Sequence, residues 1–343
     1  MIISKTPYRI SLFGGGSDYP EWYLKNGGTV ISSTIDKYIY ISCRELPPYF
    51  EHKHRIVYSI VEEVKKVDEI KHSVVKHAIK NILKKQKLNL GFEIHYDGDF
   101  PSRTGMGSSS SFVVGLLNVL NNFFDKKISK RTLANQSIYL EQNILKEVVG
   151  SQDQIATSFG GFNEITFGKN GLYKINPLLT QKKDLETLEN NLILVFAGIR
   201  KNLSTANDIA RTFVKKLSTQ KKKEIFEIIE HAKIAKEFIK SKNFDDLGLL
   251  LNETWKIKRN LSSSVSNSKL DDIHQFGINS GATGGKLLGA GGSGFFLFYV
   301  PREKKKIFIK KFKNFITVPF KFEKNGSKII FKDQGYRSTK NKN

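Results

Sequence analysis

The chain has 343 residues, enough for a sizeable core and two domains, and its 39% hydrophobic and 11% aromatic content is that of a folded globular protein. No run approaches the roughly 18 apolar residues of a membrane span, and the lone cysteine, Cys43 in YIYISCREL, excludes an internal disulfide and reads as a strand residue. A net charge of +23 points either to a nucleic-acid or acidic-membrane partner or to an enzyme for anionic substrates.

The N-terminus, MIISKTPYRI, enters directly into an alternating stretch with no signal-peptide pattern, so a cytoplasmic protein is expected. Ile10 and Leu12 alternate with Arg9 and Ser11, a strand that brings Arg9 to its end. Gly14, Gly15 and Gly16 then turn the chain and deliver Ser17, Asp18 and Tyr19, hydroxyl and carboxylate groups suited to a polyol. A glycine-rich hairpin with an Asp turn residue explains the same letters. Further strands are expected over Val30–Leu46 and Arg55–Ile60, and an amphipathic helix over Ile70–Lys87. The seven histidines are scattered without the spacing or carboxylate company of a zinc site.

The most informative stretch follows. Leu90, Phe92, Ile94 and Tyr96 fall at every second position of a half-buried strand. Gly105, Met106 and Gly107 form a turn, and Ser108, Ser109, Ser110 and Ser111 lead into the apolar run of a buried helix. The first N–H groups of a helix lack internal partners and its dipole is positive there, so strand, glycine turn and serine-rich helix start make an anion site. A serine that only caps the helix is the simpler reading, and it accounts for one serine rather than four.

Arg131–Val149 reads as a helix that places Glu141 among apolar residues, where an unpaired carboxylate is costly. Gly150-Ser-Gln-Asp153-Gln breaks it, and Asp153 is either a cap for the next helix or a catalytic carboxylate. Residues 163–190 read as loop and short strand, and Asn191–Ala197 as a buried strand. The following loop carries two cations, Arg200 and Lys201, and two hydroxyls ahead of the next helix; if the acceptor is a sugar phosphate, as the resemblance described below implies, these two, or Arg103 beside the serine loop, would hold its phosphate, and solvated surface charges are the other reading. Helices are expected over 205–217, 222–239, 244–260 and 270–279, then a glycine-rich loop at 280–294 containing Gly291 and Gly292. A strand at 295–300, a basic helix at 303–315, a last strand at 317–322 and a polar tail from 334 complete the chain. Two familiar phosphate loops are absent. There is no G-x-x-x-x-G-K-[ST], and the G-x-G-x-x-G at Gly289, Gly291 and Gly294 precedes FFLFYV, a strand-like run where a dinucleotide fold needs a helix.

PYRISLFGGGSDY at 7–19, PSRTGMGSSSS at 101–111 and KLLGAGGSG at 286–294, in this order, resemble the GHMP kinase family over most of the chain. Met106 stands where the family usually has Leu, and Ser110-Ser111 where it often has two alanines. The resemblance implies an α+β fold of two domains: a ribosomal protein S5 domain 2-like one at 1–185 and a ferredoxin-like one at 186–343, with the site between them. It implies ATP and Mg²⁺ as cofactors and a small-molecule sugar phosphate as partner, with no nucleic acid or membrane. GGGSDYP, GMGSSSS and GIRKN look most like the branch acting on heptose 7-phosphate at its anomeric hydroxyl, on the route to GDP-heptose for surface polysaccharide. By the same resemblance Ser109 and Glu141 would hold the metal, Asp153 would sit where the family places a catalytic carboxylate, Arg9 would take the position of the motif-one cation, and Asp18 would bind sugar hydroxyls. The rival within the family is a fucose-type kinase. The rival outside it is a basic nucleic-acid-binding module on an S5-like fold, which a salt-dependent filter-binding assay would expose. The basic clusters share no stripe of exposed aromatics and read as solvated helix faces.

Overall fold

A computed structural model describes residues 1–86, 89–199 and 218–333. The alternating N-terminal stretch forms β1 (Ile2–Phe13), followed by a short helix α1 (Pro20–Asn26) and the 18-residue strand β2 (Gly28–Glu45). Then come β3 (His54–Val57), β4 (Val61–Val64), α2 (Ser73–Gln86) and β5 (Phe92–Gly98). Helix α3 (Ser108–Phe123) starts on Gly107, whose φ of 77° only a glycine adopts readily. No side chain caps it, so the serines at its start are not spent as an N-cap.

α4 (Lys130–Ile138) continues into a wide turn, Tyr139–Ile144, instead of running to Val149 as the apolar spacing predicts. Lys146, at φ 57°, ends it. Such a bulge admits an extra residue per turn and re-aims its side chains; here it carries Glu141. α5 (Gln152–Phe159), β6 (Phe162–Phe167) and β7 (Tyr173–Leu179) follow. The polar connection expected before residue 190 is instead a helix, α6 (Lys182–Asn191), whose weak signal reflects a single buried residue, Leu188. β8 (Leu192–Gly198) precedes helices Thr219–Ser241, Phe244–Asn260 and Ser268–Asn279. After them come β9 (Gly284–Leu287), β10 (Gly294–Tyr299) and a short basic helix, Lys305–Lys311.

The single strand expected at 317–322 is two pieces, β11 (Thr317–Val318) and β12 (Phe322–Glu323), and a final strand, β13 (Lys328–Lys332), follows. Pro319 lacks the N–H that a continuous ladder needs. Among the described residues two sheets form. The nine-stranded one has the path β13-β1-β2-β5-β3-β4, with β6, β7 and β12 attached through β2, and the four-stranded one is β11-β8-β10-β9. The chain's end therefore returns to its beginning: β13 pairs with β1, so residues beyond 321 join the sheet built mainly from residues before 180.

α3 lies over β1 and β2, buried from Ser110 to Asn121. Its Gly115 lets the helix approach β1 closely, since a Cβ there would come within 2.8 Å of the Thr6 hydroxyl. The core is continuous between the sheets, with the rings of Phe100 and Phe295 packed 4.8 Å apart across the join. This packing holds the Gly105–Ser111 serine loop between the first sheet and the third glycine motif. Among the described residues no helix is long and apolar enough to cross a membrane.

Candidate active site

Arg9 ties three segments that are distant in sequence together. Its guanidinium donates to both oxygens of Asp153, Nε to Oδ1 at 2.6 Å and Nη2 to Oδ2 at 2.5 Å, and Nη1 donates to the carbonyl of Gly105 at 2.8 Å. Its backbone N–H also donates to Met106 O at 3.1 Å. A bidentate Arg–carboxylate pair fixes both partners in one plane. Asp153 therefore stands in the first turn of α5 with a fixed orientation, its side chain 21% exposed to the cleft and that of Arg9 only 6%.

Below the serine loop lies Glu141, fully buried. It accepts from Ser110 Oγ at 2.9 and 3.2 Å, from Ser109 Oγ at 3.3 Å and from Gln154 Nε2 at 2.5 Å. All these donors are neutral. Burial pushes its carboxyl up to about 8, and the charges of Glu147 and Asp153 add to this, while the Gln154 and Ser110 hydrogen bonds pull the other way. The buried Ser108 Oγ finds no hydrogen-bond partner among the described residues. The loop thus presents an unused hydroxyl beside a buried carboxyl group that no cation pairs among the described residues.

Asp18 is buried and accepts from the Gly16 N–H at 3.0 Å and the Gln152 N–H at 3.4 Å. Burial first, and the nearby Asp153 second, push it up to about 6. These groups line one cleft of roughly 1150 Å³. One part of its wall is aromatic, where His72 stacks on Phe112 at 5.0 Å and packs edge-on to Tyr58 at 4.9 Å.

The model of the GHMP kinases N terminal domain matches residues 73–161, which hold the serine loop, Glu141 and Asp153. The chain is 32% identical over 340 residues to the D-glycero-alpha-D-manno-heptose 7-phosphate kinase of Campylobacter jejuni, covering 95% of this chain and 98% of that protein. The chain belongs to the GHMP kinase family. It is also 27% identical to the mevalonate kinase of Methanocaldococcus jannaschii, over 90% of this chain and 95% of that one. The crystal structure of a D-glycero-D-manno-heptose 1-phosphate kinase from Bacteroides thetaiotaomicron superposes with a TM-score of 0.79 over 97% of this chain and 100% of that chain. At 23% identity, that match speaks for the fold.

In this GHMP kinase most residues singled out from the sequence share the cleft: Arg9, Gly16, Asp18, Tyr19, Gly105, Gly107, Ser108, Ser109, Ser110, Glu141 and Asp153. Four do not line it. Ser17 is buried, donating to Gly14 O at 2.7 Å and Thr29 O at 3.0 Å, so its hydroxyl clamps the turn and does not face a ligand. Met106 is buried beneath the loop and takes part through its carbonyl. Gly291 and Gly292 lie against Val265, with the Gly292 N–H donating to Val265 O at 2.9 Å; Gly289 and Ala290 reach the cleft instead. Arg200 and Lys201 lie outside the described residues. Sequence reading missed Gln154, the aromatic wall, and two lysines, Lys258 and Lys286, that line the cleft. The only available signal for Lys286 was its place at the head of the third glycine motif.

Glu141 makes a pH prediction. Between about 4.5 and about 8 the folded metal-free protein holds this proton while the unfolded chain has released it. This group's contribution therefore falls as pH rises through that window and is flat above it. In the presence of a chelator, Glu141→Gln should flatten this part of the Tm–pH curve and raise Tm at pH 8 relative to wild type. Parallel curves for the two proteins would mean that Glu141 stays ionised in its serine cradle.

Proposed function

We propose that this chain transfers the γ-phosphoryl group of ATP to the anomeric hydroxyl of D-glycero-D-manno-heptose 7-phosphate, giving the 1,7-bisphosphate, a precursor for activation as GDP-heptose and use in surface polysaccharide. The observation that carries the reading is Arg9 clamping Asp153 beside a serine-rich helix start. The full-length similarity to a heptose 7-phosphate kinase adds the substrate class.

Phosphoryl transfer depends mostly on positioning and charge neutralisation. The N–H groups at the start of α3 and the Ser108 hydroxyl suit the phosphates of ATP. Glu141 and Ser109 are hard oxygen donors, and the buried Glu141 carboxyl has only neutral hydrogen-bond partners among the described residues, so a cation bound there would favour its ionised form; this fits Mg²⁺ held jointly with ATP phosphates. Bound there, the ion would neutralise phosphate charge. Asp153 faces the acceptor side, where it takes the proton from the anomeric hydroxyl as the new O–P bond forms and the bond to ADP breaks. Arg9 holds that carboxylate in place and adds positive charge between donor and acceptor. The Gly15–Gly16 turn and Asp18 bind the sugar, with no side chain on the glycines to obstruct it.

A panel of sugars and sugar phosphates with ADP release as readout tests this. Heptose 7-phosphate should be preferred over the unphosphorylated heptose and L-fucose by at least about ten- to a hundredfold in kcat/KM, the scale of one charge-assisted phosphate contact. Equal or better use of L-fucose would replace the reading with a fucose-type kinase.

A further inference from the structure

We propose that Lys258 and Lys286 together form a subsite for a phosphate monoester, on the acceptor side of the cleft. The identity of that phosphate rests on the kinase reading above; the existence of the subsite does not. Lys286, at 3% exposure, donates from Nζ to Leu12 O at 2.5 Å. Lys258, on helix Phe244–Asn260, donates to Leu287 O at 2.9 Å and Gly289 O at 2.6 Å. Both line the cleft. Every one of these acceptors is a neutral carbonyl, and among the described residues neither ammonium is paired with a carboxylate.

The charges acting on the pair are all of the wrong sign. Lys286 feels Lys258 and Arg9, and Lys258 feels Arg9. Arg9 itself is already committed to Asp153 through two hydrogen bonds. Buried ammonium groups without a counter-ion are costly, so native structures pair them. Here desolvation draws Lys258 down to about 7 and Lys286 well below the lysine range, the neighbouring cations adding to both. An anion between them would reverse that and return both to the charged form. An ammonium has three donors. The carbonyls use one from Lys286 and two from Lys258, leaving donors for a ligand oxygen on each.

Placement favours the acceptor's own phosphate over the one being transferred. Lys286 reaches the backbone of Leu12, just before the Gly14 turn that leads to Asp18. Lys258 shares its stretch of wall with Thr254, Leu261 and Val265, and among the described residues neither lysine hydrogen-bonds to Ser108–Ser110 or Glu141.

The test uses Lys258→Met and Lys286→Met in the full chain, with inorganic phosphate as the probe. Phosphate should raise the Tm of wild type, and the rise should be largely lost in each variant while added ATP still stabilises both. In kinetics, each variant should lose about ten- to a hundredfold in kcat/KM on the phosphorylated heptose, mainly through KM, with the unphosphorylated heptose much less affected. An equal loss on both acceptors, carried by kcat, would keep the subsite and assign it to the transferred phosphoryl group. Absence of turnover on every sugar phosphate, with the Tm effect still lost in the variants, would sink the kinase reading and leave the subsite standing. Unchanged phosphate-dependent stabilisation in the variants would overturn the proposal, as would loss of sugar-phosphate use confined to Arg200→Ala or Lys201→Ala. Should Lys286→Met fail to fold, Lys258→Met, on the more open side chain, decides it.

Discussion

Asp153→Asn is expected to fold and to bind ATP but to turn over about 10²–10⁴-fold more slowly, the scale of a lost general base. The substitution is nearly isosteric, so the first turn of α5 and the Thr157 hydroxyl that donates to the Asp153 carbonyl at 2.8 Å should be retained. What disappears is the carboxylate proposed to take the proton and one of the two acceptors that hold Arg9. Arg9 has a second anchor in Gly105 O, which limits its displacement. Steady-state kinetics with a separate ATP-binding titration separates the two consequences. A kcat within a few-fold of wild type would reduce Asp153 to a clamp for Arg9.

A loss of about 10²-fold in kcat/KM is expected for Gly289→Ala, a residue with no side chain of its own to offer, whose carbonyl holds Lys258. Gly289 sits at φ 71°, and a Cβ there would come within 2.4 Å of Gly105 Cα and 2.8 Å of Gly105 O. Gly105 in turn has no room toward Leu288 O, 2.5 Å from its own would-be Cβ. The third glycine motif and the serine loop therefore touch backbone to backbone, and a methyl group must drive them apart. Displacement of about 1 Å at a catalytic loop can cost on the order of 10²-fold in rate. Gly198→Ala is the control. Its φ of 120° imposes the same kind of backbone strain, but a Cβ there meets nothing within 4 Å among the described residues. Similar kinetics for the two variants would show that strain, not separation of the loops, is responsible.

The local features of this protein were legible without coordinates. Alternation at Phe92, Ile94 and Tyr96 and the apolar run after Ser111 are periods of two and of a helix, properties of the chain within a few residues. Gly107 at a helix start needing positive φ is equally local. The strand after the false dinucleotide motif was readable for the same reason. Element ends were less so, because tertiary packing chooses them: Glu141 lies in a widened turn and the expected final strand is divided between two sheets.

From sequence alone came the strand–glycine–serine–helix anion loop, the two further glycine turns, and a short roster of chemically capable residues, since turn chemistry and periodicity act over neighbouring positions. Only the tertiary structure decided which of them meet. Arg9 finds Asp153 across 144 positions and Ser109 finds Glu141 across 32, separations over which no local rule operates. It also decided that Ser17 turns inward, and that Lys258 and Lys286 face the cleft without a carboxylate partner among the described residues. Desolvation depends on everything packed around a group, so the state of Glu141, Asp18 and the two lysines is set by the folded surroundings rather than by their neighbours in the chain.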